Sequence, residues 1–126
     1  MNMGAQIAYV GLGGLLGSVV RHLLLVTITS ISVLGSHALL TANGIGSFLA
    51  GLLLPWFVDS HHWRLFVGIG FLGSLTTMSA FSVSSLEMLK VEKLSISLTS
   101  ILFHVVLCIG LCAVGFVLGN KLRVLN

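Results

Sequence analysis

Four long apolar stretches make up most of this chain and constrain its fold more than any other feature. They cover residues 5 to about 31, 38–58, 63–88 and 94–118. Each approaches or exceeds the roughly 20 residues with which an α-helix crosses a bilayer core. Only 7% of the 126 residues are charged, whereas a soluble domain carries about 25%. The sequence therefore predicts an all-α membrane protein with four transmembrane helices, and excludes a soluble or a disordered chain.

The polar segments between the apolar stretches are short, covering residues 32–37, 59–62 and 89–93. Short connections predict helices that run antiparallel to their neighbours. Trp56 and Trp63 flank the second connection, where indole rings favour the membrane interface. The first six residues carry no basic side chain, so we expect no cleavable signal peptide. The pattern predicts a single four-helix transmembrane domain over residues 1–126.

Basic residues are few and spread along the chain, with six Lys and Arg against three Asp and Glu. They form no basic stripe, which argues against a nucleic-acid partner. Three basic residues are expected on one side of the membrane and two on the other: Arg64, Lys121 and Arg123, against Lys90 and Lys93. This weak bias permits insertion in both orientations, or one orientation beside a partner of opposite bias. Because four short helices enclose too little volume for a wide pore, we expect a dimer.

Arg21 is the first polar residue that a lipid-embedded helix does not explain. It lies about sixteen residues into the first apolar stretch. A guanidinium in a spanning helix costs several kcal/mol, so it usually faces protein, water or a helix end. Two interpretations remain open. The side chain either reaches the interface from a helix that ends near residue 25, or has a structural or anion-facing role in a water-filled vestibule.

Asn43 and His104 are polar residues within the second and fourth stretches. An amide in an apolar span needs partners for its two donors and its acceptor. Asn43 therefore either joins two helices by a hydrogen bond or meets water or an ion. His104 is either a packed hydrogen-bonding residue or a ligand or proton relay. Gly44, Gly46 and Gly51 leave the surface around Asn43 smooth enough for a neighbouring helix to approach closely.

The third stretch contains glycines followed by hydroxyl residues: Gly68, Gly70 and Gly73, then Thr76, Thr77, Ser79 and Ser82. This order predicts a third helix that is broken mid-membrane, where unwound backbone is tolerated only if it is buried or lines a cavity. Carbonyl groups freed by the break can coordinate a cation. The hydroxyls of Thr77, Ser79 and Ser82 could donate to an anion. The alternative is that these hydroxyls bond back to their own helix.

Three short motifs occur in order, one in each of the first three stretches. The first is G-G-x-x-G-x-x-x-R, formed by Gly13, Gly14, Gly17 and Arg21. The second is N-x-x-G-S-F-x-x-G, formed by Asn43, Gly46, Ser47, Phe48 and Gly51. The third, G-G-x-T-T-F-S-T-F-S, is matched in part by Gly73, Thr76, Thr77, Ser79, Phe81 and Ser82. In a four-span chain of this length, the three motifs together resemble the CrcB/Fluc family of fluoride ion channels.

The resemblance implies a passive fluoride-selective channel subunit that exports fluoride from the cytoplasm across the cell inner (plasma) membrane. It implies an antiparallel dual-topology dimer with two narrow pores at the subunit interface. It also implies a structural Na⁺ at that interface, held by the backbone carbonyls of Gly73 and Thr76. The residues implied for the fluoride pathway are Asn43, Thr77, Met78, Ser79, Phe81, Ser82 and His104, the last at a polar position that some members place on the fourth helix.

The third motif departs from the family pattern at several positions. Met78 stands in place of the first phenylalanine, Ser74 in place of the second glycine, Ala80 in place of a threonine, and Ser84 in place of a glutamate. Methionine is polarizable but has no ring edge to offer an anion. We therefore expect Phe81 to remain functional and Met78 to be at best a substitute. Some members pair two divergent subunits, so a heterodimer and a homodimer with altered pores both remain open.

Two other kinds of membrane protein are alternatives. A small multidrug-resistance-type exporter has four helices and a similar length, but it needs a carboxylate deep in the membrane. Asp59, Glu87 and Glu92 all fall near the ends of apolar stretches. A non-conducting membrane partner subunit is the second alternative. We do not expect an enzyme, since no nucleophile–base pair or metal-ligand set occurs in register.

Overall fold

The computed structural model describes residues 1–30 and 37–125, and this part of the chain is helical without strands. The first two apolar stretches form α1, Met3–Ser30, and α2, Ala38–Phe57. The third forms α3, His61–Trp63, a π-helix, Arg64–Leu72, then α4, Gly73–Leu75, and α5, Met78–Val91. The fourth forms α6, Leu94–Val124. Within the described residues, four helical stretches are long and apolar enough to cross a membrane, which confirms that prediction.

Several helix ends differ from the predicted ones, and α5, for example, ends at Val91, three residues beyond the predicted end of the third stretch. α1 continues to Ser30, so Arg21 lies well inside it, and the interpretation of a helix ending near residue 25 is wrong. α6 extends six residues beyond the predicted end, to Val124. Basic side chains in a last helical turn are favourable next to the helix dipole, and Arg123 also donates to the carbonyl of Pro55 at 2.6 Å and pairs with Asp59. The predicted end at Ile31 and most of the first connection lie outside the described residues.

The helices pack mainly as two pairs that are not consecutive in sequence: α1 lies against the π-helix and α4, and α2 lies against α6. Glycines line both contacts. A methyl group at Gly17 would overlap the carbonyl of Phe71, and one at Gly51 would overlap the carbonyl of Cys112. Such close backbone approach maximises van der Waals contact, which drives helix association in lipid. The predicted close approach of a helix to Gly51 is confirmed.

The third apolar stretch is not one continuous helix. Between Leu75 and Met78 the backbone is extended, with φ −87° and ψ 148° at Thr76 and φ −147° and ψ 119° at Thr77. Gly68 and Gly70 lie earlier, inside the π-helix. The non-helical residues are therefore the two threonines that follow the glycines, and the depth of this interruption in a bilayer stays a prediction.

Candidate functional site

Asn43 connects α2 to the interruption of the third stretch. Its side chain is almost fully buried, and its Oδ1 accepts a hydrogen bond of 3.0 Å from the backbone amide of Thr77. In a continuous α-helix that amide would donate to the carbonyl of Gly73, four residues earlier. Asn43 thus supplies the acceptor that allows the backbone to leave the helix at this point.

The other end of the same amide group reaches α6. Asn43 Nδ2 lies 3.1 Å from Nε2 of His104. The backbone amide of Thr77 can only donate, so Asn43 turns its oxygen to Thr77 and its NH₂ group to His104. Nε2 of His104 must then be the acceptor, which assigns the ring proton to Nδ1. An interhelical hydrogen bond was one of the alternatives expected for Asn43 and for His104, and it is present. The second Nδ2 hydrogen of Asn43 has no acceptor among the described residues.

Phe81 packs against the imidazole ring of His104. Its ring centroid lies 4.4 Å from that of His104, with an angle of 49° between the ring planes. Phe81 is buried, unlike most large apolar residues of α5. The two rings line two cavities, of which the first is also lined by Asn43 and the second is not. The Phe81–His104 pair therefore forms the partition between these two spaces.

The first cavity has a volume of about 240 Å³ and lies at the interruption. Six predicted residues line it: Asn43, Thr76, Thr77, Met78, Phe81 and His104. Met78 is 71% exposed, so the cavity is open on the side where α5 begins. The lining combines one amide, hydroxyls and two aromatic rings, and includes no carboxylate among the described residues. The Thr76 hydroxyl already donates to the carbonyl of Leu72 at 3.0 Å. The donors that this lining can offer to a small anion are therefore chiefly the second Nδ2 hydrogen of Asn43 and the hydroxyl of Ser47.

The second cavity, of about 350 Å³, is lined by hydroxyl residues that were not predicted for this role: Ser84, Ser85, Thr99 and Ser100. The spacing of three of these residues along the sequence could have indicated this role. Ser84 and Ser85 lie three and four residues after Phe81, and Ser100 lies four residues before His104, so all three share a helix face with the ring pair. Ser47, one turn after Asn43, was likewise missed as a lining residue of the first cavity.

The other two hydroxyl residues predicted for the pathway, Ser79 and Ser82, do not line the first cavity. Ser79 shares a hydrogen bond of 2.9 Å with the hydroxyl of Thr77 and faces a separate groove. Ser82 donates to the carbonyl of Met78 at 2.9 Å, the self-bonding alternative left open by the sequence. Arg21 lines the groove of Ser79 together with Glu87, and this groove shares only Thr77 with the Asn43 cavity.

No group of three or more His, Cys, Asp or Glu residues that could hold a metal ion occurs in the described residues. The carbonyls predicted for Na⁺ belong to Gly73, the first residue of α4, and to Thr76 in the extended segment. Because the amide of Thr77 donates to Asn43, the carbonyl of Gly73 lacks its usual α-helical partner. A neutral carbonyl freed in this way is the type of ligand that discontinuous helices offer to Na⁺.

A comparison with protein families matches residues 8–116 to the family described as "CrcB-like protein, Camphor Resistance". Three relatives share the name "Fluoride-specific ion channel FluC". The one from Elusimicrobium minutum is 35% identical over 111 residues, covering 86% of this chain and 89% of the relative. The relative from Hahella chejuensis is 33% identical over 120 residues, covering 90% and 93%. That from Saccharophagus degradans is 35% identical over 117 residues, covering 90% and 88%. The chain thus belongs to the family of CrcB-like proteins.

Proposed function

We propose that this multi-pass membrane protein is a subunit of a passive fluoride-selective channel that exports fluoride from the cytoplasm. The observation that carries the proposal is the meeting of Asn43, Phe81 and His104 at a cavity beside the interrupted helix. Family membership and the names of the relatives support the same function. The chain is not an enzyme.

The lining of the cavities suits a small, strongly hydrated anion. An anion that enters a membrane protein must exchange its water for other hydrogen-bond donors or positive dipoles. Asn43 has one amide hydrogen left for this purpose, and the edge of the Phe81 ring carries the positive end of the aromatic quadrupole. Beyond the ring pair, the second cavity would continue the route through the hydroxyls of Ser84 and Ser100, because those of Ser85 and Thr99 donate to carbonyls of their own helices. Met78 would line the first cavity without contributing a ring edge.

A second subunit would complete the pathway. The first cavity is open along the exposed side chain of Met78, and the groove that holds Arg21 and Ser79 is also open. An antiparallel partner would close these openings and form two narrow pores at the interface. The partner is either a second copy of this chain or a divergent family subunit. Basic residues on both sides of the membrane are compatible with insertion in both orientations.

A structural Na⁺ at the dimer interface fits the residues that are present. Gly73 and Thr76 would hold it through backbone carbonyls, and a partner in the opposite orientation would contribute the same two groups. The extended backbone at Thr76 and the diverted amide of Thr77 support this assignment, since both remove helical hydrogen bonds from nearby carbonyls. The ion would supply positive charge that holds the two interruptions together.

The function is tested by fluoride release from liposomes. The purified chain is reconstituted alone and, in parallel, with each further family member from the same cell. A channel releases fluoride electrogenically, with no proton gradient, once a potassium ionophore balances the charge. A proton-coupled exporter would release it only with a gradient. Absence of fluoride release in every combination would favour the non-conducting partner subunit and refute the proposal.

Asp59, paired with Arg123 at the end of α2, does not supply the mid-membrane carboxylate that the exporter needs.

A further inference from the structure

The protonation state of His104 determines whether the Asn43 amide can keep both of its hydrogen bonds. Building on the proposed function, we infer that His104 is a pH-dependent positioning residue of the anion pathway. In its neutral form it holds the Asn43 amide in the conducting orientation, and protonation of its ring stops conduction.

Each of the two hydrogen bonds of Asn43 has a fixed direction. The backbone N–H of Thr77 donates to Asn43 Oδ1 at 3.0 Å, which fixes how the amide is turned. Asn43 Nδ2 must then donate to His104 Nε2, 3.1 Å away. Only an imidazole without a proton on Nε2 can accept this bond. The geometry therefore requires neutral His104 with its proton on Nδ1.

A second proton on the His104 ring would remove the acceptor that Asn43 uses. An imidazolium ion has two N–H donors and no acceptor, so two donors would face each other between His104 and Asn43. The amide cannot turn over, because the amide of Thr77 would lose its acceptor in a part-buried position. Either Asn43 or the imidazole must move. Since the imidazole also contacts the Phe81 ring at 4.4 Å, its movement would disturb the partition between the cavities.

Few titratable groups surround the imidazole of His104 on the described lining of the two cavities. The other titratable residues on the described lining of the two cavities are His37, at the start of α2, and Cys108, on α6. α5 contributes hydroxyl and apolar side chains to these cavities, while its Glu87 lines the separate groove with Arg21. No carboxylate on that lining could balance a positive charge on His104. Imidazole is also the side chain whose charge normally changes between about pH 5 and 8.

The experiment measures fluoride release from liposomes with equal internal and external pH, between about pH 7.5 and about pH 5.5. We expect release by the wild-type protein to fall at least about twofold over this range, because each His104 ring that takes up a proton stops conduction in its pathway. In His104→Gln the side-chain carbonyl can accept from Asn43 and does not titrate, so its release should not depend on pH. His62→Gln is the matched control. His62 contacts Tyr9 near the second connection, and this variant should keep the wild-type pH profile.

A spectroscopic measurement tests the same inference without transport. ¹⁵N chemical shifts of the His104 ring at neutral pH should indicate a protonated Nδ1 and an unprotonated Nε2. A proton on Nε2, a wild-type release rate that is constant with pH, or a His104→Gln profile equal to the wild-type one would each overturn the inference. If the wild-type protein releases no fluoride at neutral pH in any combination of subunits, the proposed function fails, and the ring tautomer still decides this inference.

Discussion

Asn43 makes two structural hydrogen bonds, and in the proposed function it would also be a ligand for an ion. Its oxygen supports the extended backbone at Thr77, and its nitrogen holds His104 on α6. Both bonds are made by a nearly buried side chain, so neither can be exchanged for water without cost. One amide hydrogen remains for the cavity. The geometry of the proposed anion site and the stability of the interruption therefore depend on the same residue.

We predict that Asn43→Ala abolishes fluoride release and lowers the free energy of unfolding by about 1–3 kcal/mol, because it leaves a part-buried backbone donor and an imidazole nitrogen unsatisfied. Release is measured in liposomes, and stability by thermal unfolding in detergent. Ser18→Ala serves as the control, since Ser18 donates only to the carbonyl of Leu15 on the exposed face of α1. It should behave as wild type. Normal release by Asn43→Ala would show that the pathway lies elsewhere.

Phe81 is the second residue whose removal should stop transport. Phe81→Ala removes the ring whose centroid lies 4.4 Å from that of His104 and which lines both cavities. We expect fluoride release to be lost, together with a destabilisation of about 3–5 kcal/mol if the surrounding helices cannot close the gap. Phe81→Leu restores volume without a ring edge, so it should recover most of the stability but not the release. Recovery of release by leucine would contradict a role for the aromatic ring.

At the scale of helices, glycine determines how closely the elements approach. A β-carbon at Gly115 of α6 would overlap the carbonyl of Phe48 on α2, whereas one at Gly110 of the same helix would meet no atom within 4 Å. We predict that Gly115→Ala destabilises the protein by about 1–3 kcal/mol, because the methyl group forces the two backbones apart. Gly110→Ala should be neutral or stabilising by up to about 1 kcal/mol, since alanine favours helix. The free energies of unfolding of the two variants are compared by thermal unfolding. Equal destabilisation by Gly115→Ala and Gly110→Ala would contradict a tight α2–α6 contact.

The elements could be predicted from the sequence to a useful degree, and the hydrogen bonds between them could not. Apolar length alone indicated four spans, and the glycine–hydroxyl order indicated where the third stretch departs from a regular helix. The partners of Asn43 lie 34 and 61 residues away, and local patterns contain no information on such distant pairs. The end of α6 was missed because Arg123 finds an acceptor at Pro55 and a carboxylate at Asp59, which only the packed structure brings within reach.

At the scale of the whole molecule, the single chain leaves its proposed pathway incomplete. The first cavity opens beside Met78, and α5 contacts mainly α6 within the chain. Large apolar side chains on α1 and α6, such as Leu12, Ile109 and Val117, are more than 60% exposed and can face either lipid or a partner subunit. An assembly of two subunits would use the open side of α5 for the pathway and leave the outer faces of α1 and α6 for lipid.

The last prediction concerns Na⁺ and the assembly. If two pairs of carbonyls from Gly73 and Thr76 share one ion at the interface, the dimer is stabilised by the free energy of ion binding. An ion present at about 100 times its Kd contributes about 2.7 kcal/mol to the state that binds it. We therefore expect replacement of Na⁺ by a large organic cation to lower the unfolding temperature, favour monomers in a size measurement and reduce fluoride release, all reversibly. Replacement at constant ionic strength is the control for screening. Release and dimerisation that do not change with Na⁺ would exclude a structural ion at these carbonyls, while the Asn43 pathway would remain testable on its own.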